Sequence, residues 1–425
     1  ALSYSATAVN LDLTSVLAQT AGLNSNQTQV AAALDRAFNA GAGNAGSALA
    51  GLYGSSPTAL PNSLSQLSGE VATGAPTTAF RATDQFLGLM LDPLVNPSLG
   101  GGAGRALAAA SREQTAAMPG GASDTQVADA APGSPLYFRN WTVWGAGFGS
   151  TGSADGSAST GSSQLSASNE GGGAGIDFWA APNLVVGFAA AGGSMDWSTG
   201  SLGTGHGTIA QGGIYAATWF DGAYLTGAFL YGHDDLSTSR SVSADGTLDQ
   251  LTGSYGADHV AGRAEGGWRF ALTPTYGVTP YAAVQVQSFN TGSYTEHDAS
   301  NLTAFALQYG SQTTTDTRTE LGARIDSAPI PIAGIGDGAA ALVLRGRAAW
   351  AHDFSPDRNL TASFAALPAA GFTVTGAREA SDAALLSAGA ELRLTPTIAL
   401  TAKFDTLQAA NAHACAGTAA LRVTW

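Results

Sequence analysis

From Trp141 to the C-terminus the chain keeps a two-residue period that separates charge from apolar bulk, and few folds can use such a pattern. In residues 317–326 (TRTELGARID), Arg318, Glu320, Arg324 and Asp326 share one face, and Leu321, Ala323 and Ile325 the other. Residues 260–270 set Arg263, Glu265 and Arg269 against Ala264, Trp268 and Phe270. Residues 342–350 set Arg345 and Arg347 against Leu342, Leu344 and Trp350. Glu391 and Arg393 oppose Leu392 and Leu394, while Lys403 and Asp405 oppose Ile398, Leu400 and Phe404. The ending TAALRVTW continues the alternation to the last residue, with Leu421, Val423 and Trp425 on one face and Arg422 on the other.

A soluble sandwich alternates too, so further features must decide. Several strands run past ten residues, above the soluble mode of about 5–6 and close to the ~9–11 needed to cross a bilayer on a tilt. Charged residues make up only 11% of the chain, less than half of the ~25% usual in soluble domains. No run approaches the ~18 apolar residues of a spanning helix. Connections alternate between short (at Ala181 and Pro182, Asp221 and Gly222, Thr273 and Pro274, Thr395 and Pro396, with a medium one at 328–338) and long (150–168, 237–255, 291–313, 355–381). All eight tryptophans lie at or after Trp141, and most stand at strand ends. Trp141, Trp179, Trp219, Trp268 and Trp425 are expected in a girdle on the short-turn rim, and Trp197, Tyr231, Phe289 and Trp350 on the long-loop rim.

These features predict twelve strands, at about 141–149, 171–180, 183–195, 207–220, 222–235, 256–271, 275–290, 314–327, 339–353, 383–395, 397–407 and 413–425. The expected fold is an all-β membrane barrel, a 12-stranded antiparallel outer-membrane barrel preceded by an α-helical linker region. An Arg or Lys facing lipid at the midplane would cost roughly 2–4 kcal/mol, so Arg263, Glu265, Arg269, Arg318, Glu320, Arg324, Asp326, Arg345, Arg347, Glu391, Arg393, Lys403, Asp405 and Arg422 are assigned to the lumen. Such a wall either fills a narrow barrel with ion pairs or also passes and holds a transported segment.

Before residue 141 the period is helical. Residues 27–40 place Val30, Leu34, Ala37 and Phe38 on one face, and 47–53 and 63–70 are shorter helical pieces. Residues 77–91 carry Phe80, Leu87, Met90 and Leu91 opposite Arg81, Asp84 and Gln85. Residues 103–118 are Ala-rich and also read as helix, whereas 2–13 alternates like a strand. A polar small-residue stretch at 120–135 reads as a linker. The organisation is therefore 1–25 as the end of an upstream β-structure, 26–135 as a helical and Gly/Ala-rich linker partly threading the lumen, and 136–425 as the barrel. The chain begins at Ala1 without a signal peptide, which reads as a processed or excised portion.

Candidate chemistry is sparse. Cys415 is alone, which excludes a disulfide framework and a thiolate metal cluster, and suits a small residue in a short turn. The six histidines lack metal-ligand spacing, and His233, Asp234 and Asp235 read as a charged loop base. GGGAG at 171–175 enters a strand rather than a helix, so it lacks the N-terminus that captures phosphate and suits a crowded lumen instead. No nucleophile elbow or phosphate loop occurs, and the net charge of −14 argues against nucleic acid. The expectation is no enzymatic activity, no metal and no cofactor.

The order SQLSGEVATGAPTTAFRATDQFLGLMLDP (65–93), a Gly/Ala-rich linker, WTVWGAGFG (141–149), GGGAGIDFWAAPNLVVGFAAAGGS (171–194) and a terminal aromatic resembles the translocator end of classical (type Va) autotransporters. The resemblance covers most of residues 26–425. It implies a twelve-stranded barrel in the outer membrane of a Gram-negative bacterium, with a linker helix in its lumen and an upstream passenger exported to the cell surface. It also implies contact with outer-membrane lipids, the barrel-assembly machinery, periplasmic chaperones and the chain's own passenger, as a monomer, with Leu421, Val423 and Trp425 as the terminal assembly signal. Relatives place the LSGE-type helix close before the first strand, whereas forty-nine residues separate Leu91 from Trp141 here. Either 77–91 or 103–118 is then the lumen helix, and proximity favours the second. Some relatives cut the linker at an Asn-Asn pair, but Asn62 and Asn96 stand alone. The alternatives are a porin-like channel, which needs an empty lumen, and a surface adhesin anchored by a barrel.

Overall fold

The computed structural model describes residues 2–4, 7–11, 13–41, 51–56, 58–93, 141–244, 247–298, 305–333 and 340–425. Twelve long antiparallel strands form a closed barrel: β1 (Trp141–Ala154), β2 (Leu165–Ala181), β3 (Leu184–Thr199), β4 (Thr204–Phe220), β5 (Ala223–Ala244), β6 (Thr247–Trp268), β7 (Tyr276–Thr291), β8 (Gln312–Ser327), β9 (Ala341–Asp353), β10 (Asp382–Arg393), β11 (Ile398–Ala409) and β12 (Ala412–Thr424). Each pairs with its sequence neighbours, and β12 closes on β1 from Ala412 opposite Ala154 to Thr424 opposite Thr142. Closure leaves no sheet edge to satisfy in lipid, where an unpaired backbone group has no water to turn to.

The short turns follow from local chemistry. Asp221 and Gly222 both take positive φ (43° and 101°), which lets a two-residue hairpin match the strand twist. At the two Thr-Pro turns the threonine hydroxyl accepts the next two backbone N–H groups, from Thr275 and Tyr276 to Thr273 and from Thr397 and Ile398 to Thr395.

The long-loop side differs from expectation. Most of 237–255, read as a loop, is strand, because β5 and β6 each run 22 residues. Beyond the membrane neither face must be apolar, so Ser, Thr, Gly and Asp alternate there without the signal used to find strands. The loops 291–313 and 355–381 also build structure. Tyr294–Thr295, Leu307–Tyr309, Asn359–Phe364 and Leu367–Thr375 make a four-stranded sheet over the long-loop rim.

On that sheet sit α1 (Ser25–Asn39) and α2 (Leu60–Leu67). A capping box starts α1, with Asn24 accepting from the Gln27 N–H and the Gln27 side chain accepting from the Asn24 N–H. Val30, Leu34, Leu64, Phe305, Phe364 and Phe372 are buried in the core between the helices and the sheet. A buried, bidentate pair fixes this cap to the barrel: Arg240 of β5 donates to both Glu296 oxygens at 2.8 and 2.6 Å, and also to the carbonyls of Gln66 and Phe305. Glu296 further accepts the Leu307 N–H and the Tyr309 hydroxyl, so the buried charges are fully hydrogen-bonded, which is the condition under which such a pair is tolerated. Residues Leu2–Tyr4 and Val9–Leu11 form a separate two-stranded antiparallel hairpin.

Candidate functional site: the occupied lumen

A third helix, α3 (Gly74–Leu91), runs down the barrel lumen. Residues 103–118, favoured by proximity to Trp141, lie outside the described residues; the helix in the lumen is the one carrying Phe80 and Leu87.

The segment that leads into it is tightly specified. Gly69 takes φ +67°, and a Cβ there would collide with the Tyr309 hydroxyl and Leu307, so both backbone and space call for glycine. Glu70 is buried and its carboxylate accepts the Ser163 N–H at 2.6 Å; burial pushes this carboxyl up to about 7. The Trp197 indole donates to the Val71 carbonyl at 2.8 Å, and its ring covers Gly74 so closely that a side chain there would overlap it.

The faces of α3 then meet two unlike walls. Phe86, Leu87, Leu89 and Met90 pack on Trp144, Val185, Ala189, Tyr215 and Leu230 of β1, β3, β4 and β5. Glycines let the helix approach: a Cβ on Gly173 would stand 3.3 Å from Leu89 Cδ1, and one on Gly213 3.2 Å from Met90 Cε. Within GGGAG, Gly173 thus makes room for the helix, whereas Gly175 makes room for the Trp144 ring and Gly171 for Phe148 and the Gly192 carbonyl. On the opposite side Asp84 accepts from Gln285, Gln287 and Arg318 at 2.5, 2.7 and 2.8 Å. Arg81 pairs with Glu379 at 2.7 Å, Asp92 with Lys403 at 2.5 Å, and Arg345 donates to the Pro93 carbonyl. Arg358, on the loop between β9 and β10, donates to Thr77 and lies over the Phe80 ring.

The structure brings the fourteen sequence-assigned charges together on this inner wall. Arg263 grips Glu320 through two bonds of 2.7 and 2.9 Å and reaches Glu265, which also receives both Arg324 guanidinium nitrogens. Arg347 approaches Glu320 at 3.8 Å and Arg269 pairs with Asp326 at 2.6 Å. Glu391 gathers Arg345, Arg393 and Arg422 within 2.9 to 3.1 Å. Lys403 bridges Asp92 and Asp405, and Arg318 holds Asp84. A cavity of about 180 Å³ remains between the helix and this wall, lined by Asp84, Gly88, Asp92, Arg263, Arg347 and Lys403.

The aromatic girdle needs correction. Trp141, Trp268, Trp350 and Trp425 are exposed on the outer surface, as is Tyr231. Trp197 and Phe289 instead point into the lumen, where Phe289 meets the Phe80 ring edge-on. Trp179 and Trp219 stack on each other at 5.6 Å and pack against the α3 contact cluster. Their place near strand ends suggested the girdle, but parity decides the face: Trp179 shares it with buried Asp177, and Trp219 with buried Tyr215. Parity also identifies inward Trp144, whose indole donates to the Tyr215 hydroxyl. At the C-terminus Leu421 and Trp425 face outward, and Trp425 exchanges backbone hydrogen bonds with Trp141.

Glu70, Arg358, Glu379 and the Arg240 and Glu296 pair were missed. Glu70 lay within the quoted LSGE string; Glu296, Arg358 and Glu379 belong to the segments between barrel strands, and Arg240 to the outer part of β5, where no period marks them. Cys415 lies not in a turn but within β12, half-buried and paired across the ladder with Thr406 and Thr151. Among the described residues no group of three or more His, Cys, Asp or Glu could hold a metal.

A family model described as the autotransporter beta-domain matches residues 143–405. A search of curated protein sequences returns no match. Among solved structures, the translocator domain of autotransporter NalP from Neisseria meningitidis aligns with a TM-score of 0.54 at 16% identity, covering 76% of this chain and 98% of that one. The beta domain of the Bordetella autotransporter BrkA aligns at 20% identity over 67% of this chain and all of that one, with a TM-score of 0.49. With a family match across more than half its length and a helix seated in a twelve-stranded barrel, the chain belongs to the autotransporter β-domain family, the outer-membrane translocators of type V secretion.

Proposed function

We propose that this barrel delivers the polypeptide upstream of it to the cell surface and then retains α3 as the plug of its own pore. Chain direction carries the reading. Glu70, before the helix, is held at Ser163 by the long loops, whereas Asp92 and Pro93, after it, meet Lys403 and Arg345 deeper in the barrel. β1 then starts on the short-turn rim at Trp141. With short turns in the periplasm and long loops outside, everything before Glu70 lies on the exterior side.

In this reading the charged half of the lumen gives a moving chain no apolar surface to stick to, and its ion pairs with Arg81, Asp84 and Asp92 set where the last segment stops. The cap of α1 and α2 assembles on the far side and opposes backsliding. The barrel works as a monomer in contact with outer-membrane lipids. Its β12 is read by the barrel-assembly machinery after escort by periplasmic chaperones. Any enzymatic activity belongs to the passenger, and none is assigned to the barrel.

A porin-like channel requires a free passage, and the helix-filled lumen favours the plug. Planar-bilayer conductance of the full chain and of a form lacking residues 1–135 separates the two. The full chain is expected to be nearly closed and the shortened form open. Equal conductance rejects the plug.

A further inference from the structure

The outer face of the barrel has a chemistry of its own near the long-loop rim. Three His/Asp pairs lie there directly across adjacent strands: His206 with Asp196 at 2.8 Å, His233 with Asp258 at 2.9 Å, and His352 with Asp382 at 2.9 Å. His413 joins them on β12, within 3.3 Å of the Ser153 hydroxyl. All four imidazoles share the outward parity of exposed apolar residues on their strands, such as Ile214, Phe229, Leu344 and Leu421.

Their depth is set by the strands. His233 and Asp258 are each eleventh from the short-turn end (223 to 233, 258 to 268), His352, Asp382 and His413 twelfth (341 to 352, 382 to 393, 413 to 424), and His206 fifteenth (206 to 220), which sets it further out. About 9–11 tilted residues cross the hydrocarbon, so these groups stand just beyond it. Aromatic neighbours mark the same boundary. Exposed Tyr231 lies one pleat below His233 and donates to Asp258, and exposed Trp350 lies one pleat below His352 and donates to Asp382.

A headgroup layer rich in phosphate is usually met by Arg and Lys. Among the described residues none stands on the outward face of the twelve strands, since those of the strands pair in the lumen or under the cap. Histidine is then the available cationic group. In the three pairs an aspartate on Nδ1 fixes the ring, which leaves Nε2 of His206 and His352 to bond outward, whereas Nε2 of His233 lies 3.7 Å from Asp235.

We propose that His206, His233, His352 and His413 form a pH-dependent belt that hydrogen-bonds the phosphate groups of lipids in the leaflet around the long-loop rim. The proposal rests on the barrel being membrane-inserted. Facing these rings are Asp196 with Glu170 on the adjoining strand, Asp258 and Asp235 with Tyr231, Asp382 with Trp350, and Ser153 with Gln408. These five carboxylates offset the four rings even when all are protonated, so phosphate is held by directed hydrogen bonds from the rings rather than by net charge, and those bonds are confined to acidic conditions.

The test reconstitutes the full chain in phosphatidylcholine vesicles with and without phosphatidic acid, and reads the unfolding temperature from heat-modifiable gel mobility at about pH 5.5 and about pH 8. Phosphatidic acid is expected to raise it by several degrees at the lower pH and little at the higher. The fourfold variant H206Q/H233Q/H352Q/H413Q loses that difference, and H233Q and H352Q, singly, lose part of it should the fourfold variant not fold. The proposal is overturned by an equal gain in the variants, by no gain in the native chain at low pH, or by inorganic phosphate with phosphatidylcholine alone reproducing the gain. Absence of heat-modifiable mobility in every vesicle would instead reject membrane insertion.

Discussion

Lys403 Nζ lies 2.5 Å from the Asp92 carboxylate, and both side chains are almost fully buried in the lumen. The only lysine of the chain thus holds the residue that ends α3. Removing one partner of a buried pair leaves the other uncompensated, at a cost of about 3–5 kcal/mol in a dry interior and less beside the lumen cavity. K403M is expected to raise the open fraction of the channel in bilayer recordings, and adding D92N to restore much of the closed state. A K403M channel as closed as the native one would remove this pair from the plug's anchorage.

Glu70 gives the segment entering the lumen a pH dependence with a definite sign. Its folded carboxyl sits at about 7 against an ordinary value of 4.5, because burial favours the neutral form. Stability from this group is complete below pH 4.5 and declines as pH rises to about 7, by an amount on the order of 3 kcal/mol. Hydrogen exchange of residues 68–75 is therefore expected to be slower, after correction for intrinsic rates, at about pH 5 than at about pH 8. E70Q should flatten that difference.

The two kinds of tryptophan should fail differently. W197A removes a buried ring and the donor to the Val71 carbonyl, a loss of about 3–5 kcal/mol at the top of the plug, and should open the channel. W268A removes an exposed girdle ring and should leave conductance low while weakening membrane anchoring. Identical conductance phenotypes would contradict the inward placement of Trp197.

Gly173 accommodates Leu89 by close approach. G173L would overfill that wall and is expected to destabilise the seated helix by about 1–3 kcal/mol. The increase in channel open fraction measures it, and the barrel itself should still show heat-modifiable mobility.

The terminal strand makes a separate prediction. W425S, or removal of the last residues, should lower the amount of barrel in the outer membrane, measured by fractionation. Normal levels would remove Trp425 from the assembly signal.

The barrel was legible because a lipid face and a charged face must alternate, and Arg318, Glu320, Arg324 and Asp326 obey that constraint along one strand. Strand ends above the membrane escaped because water relaxes it. Trp179, Trp197 and Trp219 were misplaced because position along a strand fixes depth but not face. The choice of lumen helix was not legible from distance along the chain. It depends on matching two faces of a helix to two walls: Phe86 and Leu89 to glycine-rich strands, and Asp84 and Asp92 to Arg318 and Lys403. Glu379 and Arg358 come from an irregular loop, and only the folded hairpin brings them to Arg81 and Thr77.

Because the inner wall is shaped and charged as the imprint of residues 68–93, the barrel's specificity is invested in a short, self-supplied key. In surface display, a fusion joined before Ser68 keeps the lock intact, whereas one joined within α3 asks the wall to recognise a stranger.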